Sequence, residues 1–163
     1  MTRAQVCKPP RPASTLGRPS VFLAGSIDQG AAEDWQALVT DRLADLPVAI
    51  FNPRRDDWDP TWPQDIAHDG FRGQVEWELD HLDRADVIAL YFSPAGPAPV
   101  SLLELGLYAA SGRVVACCPE GYWRRGNVQI VCRRHGVPLH GALNGFVGVV
   151  RERLLALCQG RRP

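Results

Sequence analysis

Glu104 is the side chain of this sequence whose type and position most directly indicate chemistry. It stands in the segment Ser101-Leu102-Leu103-Glu104-Leu105-Gly106, with leucines on both sides. An ionised side chain in apolar company needs a partner or a function. The segment follows an apolar run that ends at Phe92 and a turn rich in proline and glycine. We therefore predict a helix just beyond the carboxyl end of a strand, at the edge where ligands bind in open α/β sheets.

Glu104 has a structural explanation as well as a catalytic one. Ser101 and Glu104 have the spacing of a capping box, in which the two side chains satisfy backbone amides of a helix's first turn. The two interpretations are compatible, because the positive end of a helix dipole favours an ionised carboxylate and a nucleophilic carboxylate must be ionised. The local sequence leaves both open.

A second carboxylate, Glu78, lies on a helix that we predict from Gly73 to Arg84. Val75, Leu79 and Leu82 form the expected buried stripe of this helix, and Glu78 lies roughly 60° from its centre. We expect Glu78 to be half-buried and oriented, the alternative being a solvated acidic face. Two carboxylates suit retaining cleavage of a glycosidic bond, since one attacks the anomeric carbon and the other manages the proton or the leaving group.

Predicted strands and helices alternate along the chain, which indicates a parallel sheet covered by helices on both faces. We expect a three-layer, doubly wound α/β domain, flavodoxin-like or Rossmann-like, with a five-stranded parallel sheet. The chain of 163 residues suits one domain, at residues 20–159. Residues 1–19, rich in proline and arginine, are expected to form a flexible basic arm, and residues 160–163 a tail. The predicted strands are 21–24, 48–51, 86–92, 113–118 and 138–139.

Composition excludes several functional classes. The five cysteines and four histidines lack metal-ligand spacing, and no phosphate-loop or dinucleotide motif occurs, so we expect no metal and no cofactor. Reduced thiols indicate the cytoplasm, and no apolar run reaches the length of a membrane span. Residues 21–150 hold 10 basic and 17 acidic residues, so we expect no nucleic-acid partner.

At several of these residues the chain resembles the nucleoside 2-deoxyribosyltransferase-like family, which includes 2'-deoxyribosyltransferases and related deoxynucleotide N-hydrolases. The segment from Phe22 to Ile27 is similar to the family's first strand and glycine turn, and Glu104-Leu105-Gly106 to its nucleophile motif. Glu78 stands eight residues before Asp86, where the family places an acid. The resemblance covers about residues 20–135.

This resemblance implies an enzyme that cleaves or transfers at the N-glycosidic bond of a nucleoside through a glutamyl-sugar intermediate. Glu104 is then the nucleophile on C1', and Glu78 positions the sugar or handles the proton. Asn127 matches the asparagine that the family contributes to the neighbouring subunit's site, which requires at least a dimer. Asn127 has an alternative role as the N-cap of the next helix.

The chain departs from the family pattern at three positions. The acid at Glu78 is usually Asp. The transferases carry Asp where this chain has Ala98, and the hydrolases carry Arg where it has Asp28. Because a carboxylate beside a phosphate is repulsive, we expect an uncharged nucleoside as substrate. Arg54 and Arg55 keep a 5'-monophosphate N-glycosidase as an alternative, and the change at Ala98 keeps a non-catalytic nucleotide-binding module as another.

The remaining candidates lie where the predicted strands end. Gly25, Ser26 and Asp28 follow the first strand, and Ser26 either binds the sugar or ends the strand. The loop from Asn52 to Asp59 is expected to cover the base, with Asp56 accepting from its amino group and Trp58 stacking on its face. Trp58 has an alternative role in closing a local hydrophobic lid.

Overall fold

The computed structural model describes residues 3–27 and 33–160 of the chain. In chain order its strands and helices are β1 (Gln5–Cys7), β2 (Ser20–Gly25), α1 (Trp35–Leu43), β3 (Ala49–Phe51), α2 (Asp69–Arg84), β4 (Val87–Tyr91), α3 (Pro99–Tyr108), β5 (Val114–Cys117), α4 (Arg125–His135), β6 (Leu139–His140) and α5 (Leu143–Gly160). A single 3-10 turn, Ala109–Ser111, continues α3.

All strand pairs are parallel, and the strands lie in the order β1-β3-β2-β4-β5-β6. From β2 the chain moves outward to β3 and then crosses back to β4, β5 and β6. The direction of winding therefore reverses between β2 and β4. Without β1 this is the flavodoxin-like order of a doubly wound sheet, whose ligands bind beside the reversal at the carboxyl ends of the strands.

The prediction of five strands is wrong, because the described sheet has six. The additional strand, β1, lies in the segment that we expected to be a flexible arm, and it pairs with β3 along its whole length. Two side chains of α2 hold the segment further: Trp77 Nε1 donates to the backbone oxygen of Arg11 (2.9 Å), and Arg84 donates to that of Ala13 (2.6 Å). A strand of three residues is too short to show a periodic pattern.

Helices cover both faces of the sheet, as the continuous apolar strands require. One face packs against α2, α3 and α4 through residues such as Leu82, Leu105 and Val128. The other face packs against α1 and α5 through residues such as Trp35 and Phe146. The two candidate carboxylates belong to α2 and α3, which share the first of these layers.

Several helix boundaries differ from the predicted ones. Helix α2 begins at Asp69, before the predicted Gly73, because His68 Nδ1 accepts a hydrogen bond from the amide of Phe71 (3.1 Å) and caps the helix. Helix α1 spans Trp35–Leu43 and is capped by Asp34, whose side chain accepts from the amide of Ala37. Over the residues that the structure describes, no helix has both the length and the hydropathy needed to span a bilayer.

Candidate active site

The ends of β2 and β4 are tied together by Gly25 and Ser26. Gly25 has φ +140°, and a Cβ there would lie 2.3 Å from the backbone oxygen of Tyr91, so only glycine fits. The Ser26 amide donates to the same oxygen (2.9 Å), and its hydroxyl accepts from the amide of Ser93 (2.8 Å). Ser26 is 1% exposed. These contacts favour the interpretation in which Ser26 ends the strand.

Helix α3 positions Glu104 in its second turn. Pro99 is the first residue of the helix, Ala98 is its N-cap, and no side chain caps it. The capping-box explanation of Ser101 and Glu104 is therefore wrong. Proline is common at the first helical position because its missing N–H has no partner there anyway. Ala98 has φ +43°, a left-handed conformation that is strained for alanine.

The Glu104 carboxylate is buried without a compensating partner. The residue is 7% exposed, and among the described residues its side chain has no hydrogen-bond partner. Burial raises the pKa of Glu104 to about 8, and the negative charge of Glu78 adds to this effect. A carboxylate held in this way is costly to keep for structure alone, so it is a candidate for a function.

Glu78 lies on α2, partly buried, but beside a different set of residues from the predicted stripe. The buried residues of α2 are Gln74, Trp77, His81 and Leu82, whereas Leu79 is 38% exposed. Trp77 and His81 stack with ring centroids 3.9 Å apart and form the inner face together with Leu82, in place of Val75 and Leu79.

Gln74 is a residue of the site that the sequence reasoning missed. Its Nε2 donates to Glu78 Oε1 (2.8 Å) and to the backbone oxygen of Pro53 (3.1 Å). Burial raises the pKa of Glu78 to about 7, and this hydrogen bond opposes the rise. The available signal was the spacing of four residues between Gln74 and Glu78, which places both side chains on one face of a helix.

The pair of carboxyls has the properties of a proton-sharing site. Glu104 is buried and Glu78 is partly buried, and the pKa values of about 7 for Glu78 and about 8 for Glu104 both lie near neutral pH. With one proton, the pair has one ionised and one protonated carboxyl. The higher pKa of Glu104 places that proton mainly on Glu104 in the free protein, and the form with the proton on Glu78 is the one in which Glu104 can attack and Glu78 can donate.

The loop that follows β3 satisfies many of its own polar groups. Asn52 is 6% exposed, and its side-chain oxygen accepts from the amide of Arg54 (3.0 Å), so it shapes the turn. The Arg54 side chain donates to Gln36 Oε1 (3.3 Å). Arg55 pairs with Asp57 (2.6 Å).

Asp56 and Trp58 lie on the outer part of this loop. Asp56 pairs with Lys8 (2.9 Å), and its side chain is 82% exposed. Trp58 packs edge-on against Trp62 with ring centroids 5.2 Å apart, and Trp62 packs against His68 (5.3 Å), the N-cap of α2. This arrangement favours a local lid as the role of Trp58.

Asn127 lies in the first turn of α4. It is the third residue of the helix, whose N-cap is Arg124, so the N-cap role is wrong. Asn127 is exposed and lines a cavity of about 290 Å³ between α3 and α4, together with Leu102, Leu105, Gly106, Arg124, Val128 and Val131.

Asp28, the remaining residue that the sequence predicts for the site, lies outside the described residues. Within residues 3–27 and 33–160, no three His, Cys, Asp or Glu side chains are grouped so that they could hold a metal ion.

Comparisons with known proteins point to one family. The model of the family described as nucleoside 2-deoxyribosyltransferase like matches residues 18–122, a range that contains both candidate carboxylates. No curated protein matches the chain. Among solved structures, the crystal structure of a conserved protein from Enterococcus faecalis V583 aligns with a TM-score of 0.47 and 15% identity, covering 90% of this chain and 100% of that chain.

Proposed function

Since the chain belongs to the nucleoside 2-deoxyribosyltransferase like family, we propose that it cleaves the N-glycosidic bond of a nucleoside or deoxynucleoside, by transfer or hydrolysis, through a glutamyl-sugar intermediate. The observation that carries this proposal is the Glu104 carboxyl, buried beside Glu78 and without a hydrogen-bond partner among the described residues.

The reactive form of the site is the one in which the single proton of the pair lies on Glu78. In the first step the Glu104 carboxylate of this form attacks C1' and forms the ester bond to the sugar. The bond from C1' to the base nitrogen breaks, its electron pair stays with the base, and Glu78 supplies a proton to the leaving base. In the second step water or another base attacks C1', Glu78 takes up the proton, and Glu104 leaves as a carboxylate.

The expected substrate is an uncharged nucleoside. The side chains of Arg54 and Arg55, the cations of the loop after β3 that could bind a phosphate, are engaged with Gln36 and Asp57. An anionic substrate would have to displace these contacts before it could use either guanidinium. This supports the nucleoside over the 5'-monophosphate.

We further propose that a second copy of the chain packs on the outer face of α3 and α4 and that Asn127 acts in that copy's site. Support comes from five large apolar side chains on these helices and in the turn before α4, each more than half exposed: Val100, Leu103, Leu107, Trp123 and Ile130. The cavity lined by Asn127 opens on the same pair of helices. We propose the cytoplasm as the compartment, because all five cysteines are free thiols.

A base-release assay tests the function. Purified protein is incubated with a panel of ribo- and deoxynucleosides and their 5'-monophosphates, with and without a second base, and free base is measured by chromatography. We expect release from at least one nucleoside and none with Glu104→Ala. Preference for a 5'-monophosphate without base exchange would support the nucleotide N-glycosidase instead. Binding without turnover would support a nucleotide-binding module.

A further inference from the structure

Gln74 joins the second carboxyl of the site to the loop after β3. Its Nε2 lies 2.8 Å from Glu78 Oε1 and 3.1 Å from the backbone oxygen of Pro53. The residue is 5% exposed. One amide group therefore connects helix α2 with the segment that enters the loop after β3.

The backbone of Pro53 decides which way this amide points. A carbonyl oxygen only accepts hydrogen bonds, so the nitrogen of Gln74 must face Pro53, and the same nitrogen then faces Glu78. Reversing the amide would place two acceptors against each other at Pro53. The Gln74 amide therefore presents a hydrogen-bond donor, and not its oxygen, to Glu78.

This orientation has a cost on the other side of the amide. Gln74 Oε1 is buried and has no hydrogen-bond partner among the described residues. An unsatisfied buried acceptor is unfavourable. The bridge made by Nε2 holds the side chain in place in spite of that loss.

We propose that Gln74 is a positioning residue for Glu78, orienting its carboxyl at the site and linking that orientation to the loop after β3. This inference rests on the proposed function, because it assigns Gln74 a part in the same reaction. It does not require Gln74 to touch the substrate. Within the described part of the chain, burial and the Gln74 amide act on the pKa of Glu78, and the charge of Glu78 acts in turn on the pKa of Glu104 on α3.

The test compares Gln74→Met, which keeps the length of the side chain and removes its donor, with the wild type. Glutamate side chains are labelled with ¹³C, and the titration of Glu78 is followed by NMR. Loss of a donor to a carboxylate raises its pKa, so we expect the Glu78 midpoint to rise by about one pH unit. We also expect kcat to fall about tenfold or more, with KM changed less than about threefold.

Gln36→Met is the matched control. Gln36 is also a buried glutamine, 0% exposed, and its hydrogen bond goes to Arg54. This variant loses a buried amide but should leave the Glu78 titration unchanged. A Glu78 midpoint in Gln74→Met that equals the wild-type value overturns the inference.

A wild-type measurement covers the case in which Gln74→Met does not fold. The side-chain ¹H and ¹⁵N signals of Gln74 should shift with pH, with the same midpoint as the titration of Glu78. Signals that stay constant from pH 6 to pH 9, a range that extends roughly one unit either side of the pKa values of the two carboxyls, overturn the inference. Both NMR readouts are independent of turnover. If the wild type releases no base but Gln74→Met still shifts Glu78, the proposed function fails and the link between Gln74 and Glu78 stands.

Discussion

The carboxyls of Glu78 and Glu104 are electrostatically coupled across the contact between α2 and α3. The charge on Glu78 adds to burial in raising the pKa of Glu104 to about 8, while the pKa of Glu78 itself is raised to about 7. Two such groups lose their protons in steps that belong to the pair. Near neutral pH, one carboxyl of the pair is ionised and the other is protonated.

This coupling predicts a narrow bell-shaped pH dependence of kcat/KM. Below about pH 7 both carboxyls are protonated and no nucleophile is present, and above about pH 8 both are ionised and no proton is available for the base. The profile is measured with the best substrate from the nucleoside panel. A value of kcat/KM that stays constant from about pH 6 to pH 9, roughly one unit either side of the two pKa values, contradicts the proton-sharing account.

Replacing Glu78 with Gln removes both the proton donor and the repulsive charge. We expect kcat to fall by about 10²-fold or more, and the pKa of Glu104 to fall because its coupled negative charge is gone. ¹³C NMR of labelled Glu104 checks the second expectation. An unchanged Glu104 midpoint in Glu78→Gln would show that the two carboxyls are not coupled.

The buried carboxyls also predict how stability depends on pH. Because the folded pKa of Glu104 is raised from 4.5 to about 8, its contribution is fully present below about pH 4.5 and is lost as the pH rises through about 8. The wild type should lose on the order of 4 kcal/mol of unfolding free energy by pH 9 through this group. The unfolding free energy of the Glu104→Gln variant should fall much less over the same pH range.

Urea unfolding at pH 5 and pH 9 measures this difference, with the exposed Glu76→Gln as control. Equal pH dependence in wild type and Glu104→Gln would mean that Glu104 is not held in a desolvated position. That result would remove the main argument that the carboxyl is kept for function rather than stability.

Gly25 is predicted to be irreplaceable at the end of β2. Gly25→Ala places a Cβ 2.3 Å from the backbone oxygen of Tyr91 at φ +140°, so the strands must separate. We expect a loss of about 3 kcal/mol or more, measured by thermal unfolding. Gly73→Ala is the control, since its Cβ meets nothing within 4 Å, and it should stabilise α2 by up to about 1 kcal/mol.

Asn127 is predicted to act on a second copy of the chain. Glu104→Gln and Asn127→Ala should each be inactive alone, and mixing the two inactive proteins should restore up to about a quarter of wild-type activity, because random exchange makes one competent site in some dimers. Leu103→Lys, on the exposed face of α3, should abolish the restoration and yield a monomer by light scattering. Full activity in Asn127→Ala would contradict a role in trans.

The alternation of strands and helices was predictable because parallel strands buried on both faces are continuously apolar. Strand β1 was not, since its three residues acquire their conformation from pairing with β3. The start of α3 had a local signal in Pro99, which the apparent capping box at Ser101 obscured. Tertiary pairing therefore determines the conformation of β1, and a competing local motif obscured where α3 begins.

The sequence was enough to propose the two carboxylates as candidates, but it did not indicate their surroundings. Leu79 was expected inside and is 38% exposed, because Trp77 and His81 stack on the inner face instead. Gln74 could not be assigned to Glu78 without the backbone of Pro53, which comes from a distant part of the chain. Hydrogen bonds between side chains and distant segments of the chain are only weakly indicated by the spacing of residues in the sequence.

Intact-mass analysis after rapid acid quench is the most direct test of the central claim, that Glu104 forms an ester with the sugar. Protein is mixed with a deoxynucleoside that releases base, quenched, weighed and digested. The account predicts one added sugar on the peptide that contains Glu104, and none in Glu104→Gln. Base release with no adduct in the wild type, or an adduct on a peptide without Glu104, would contradict it.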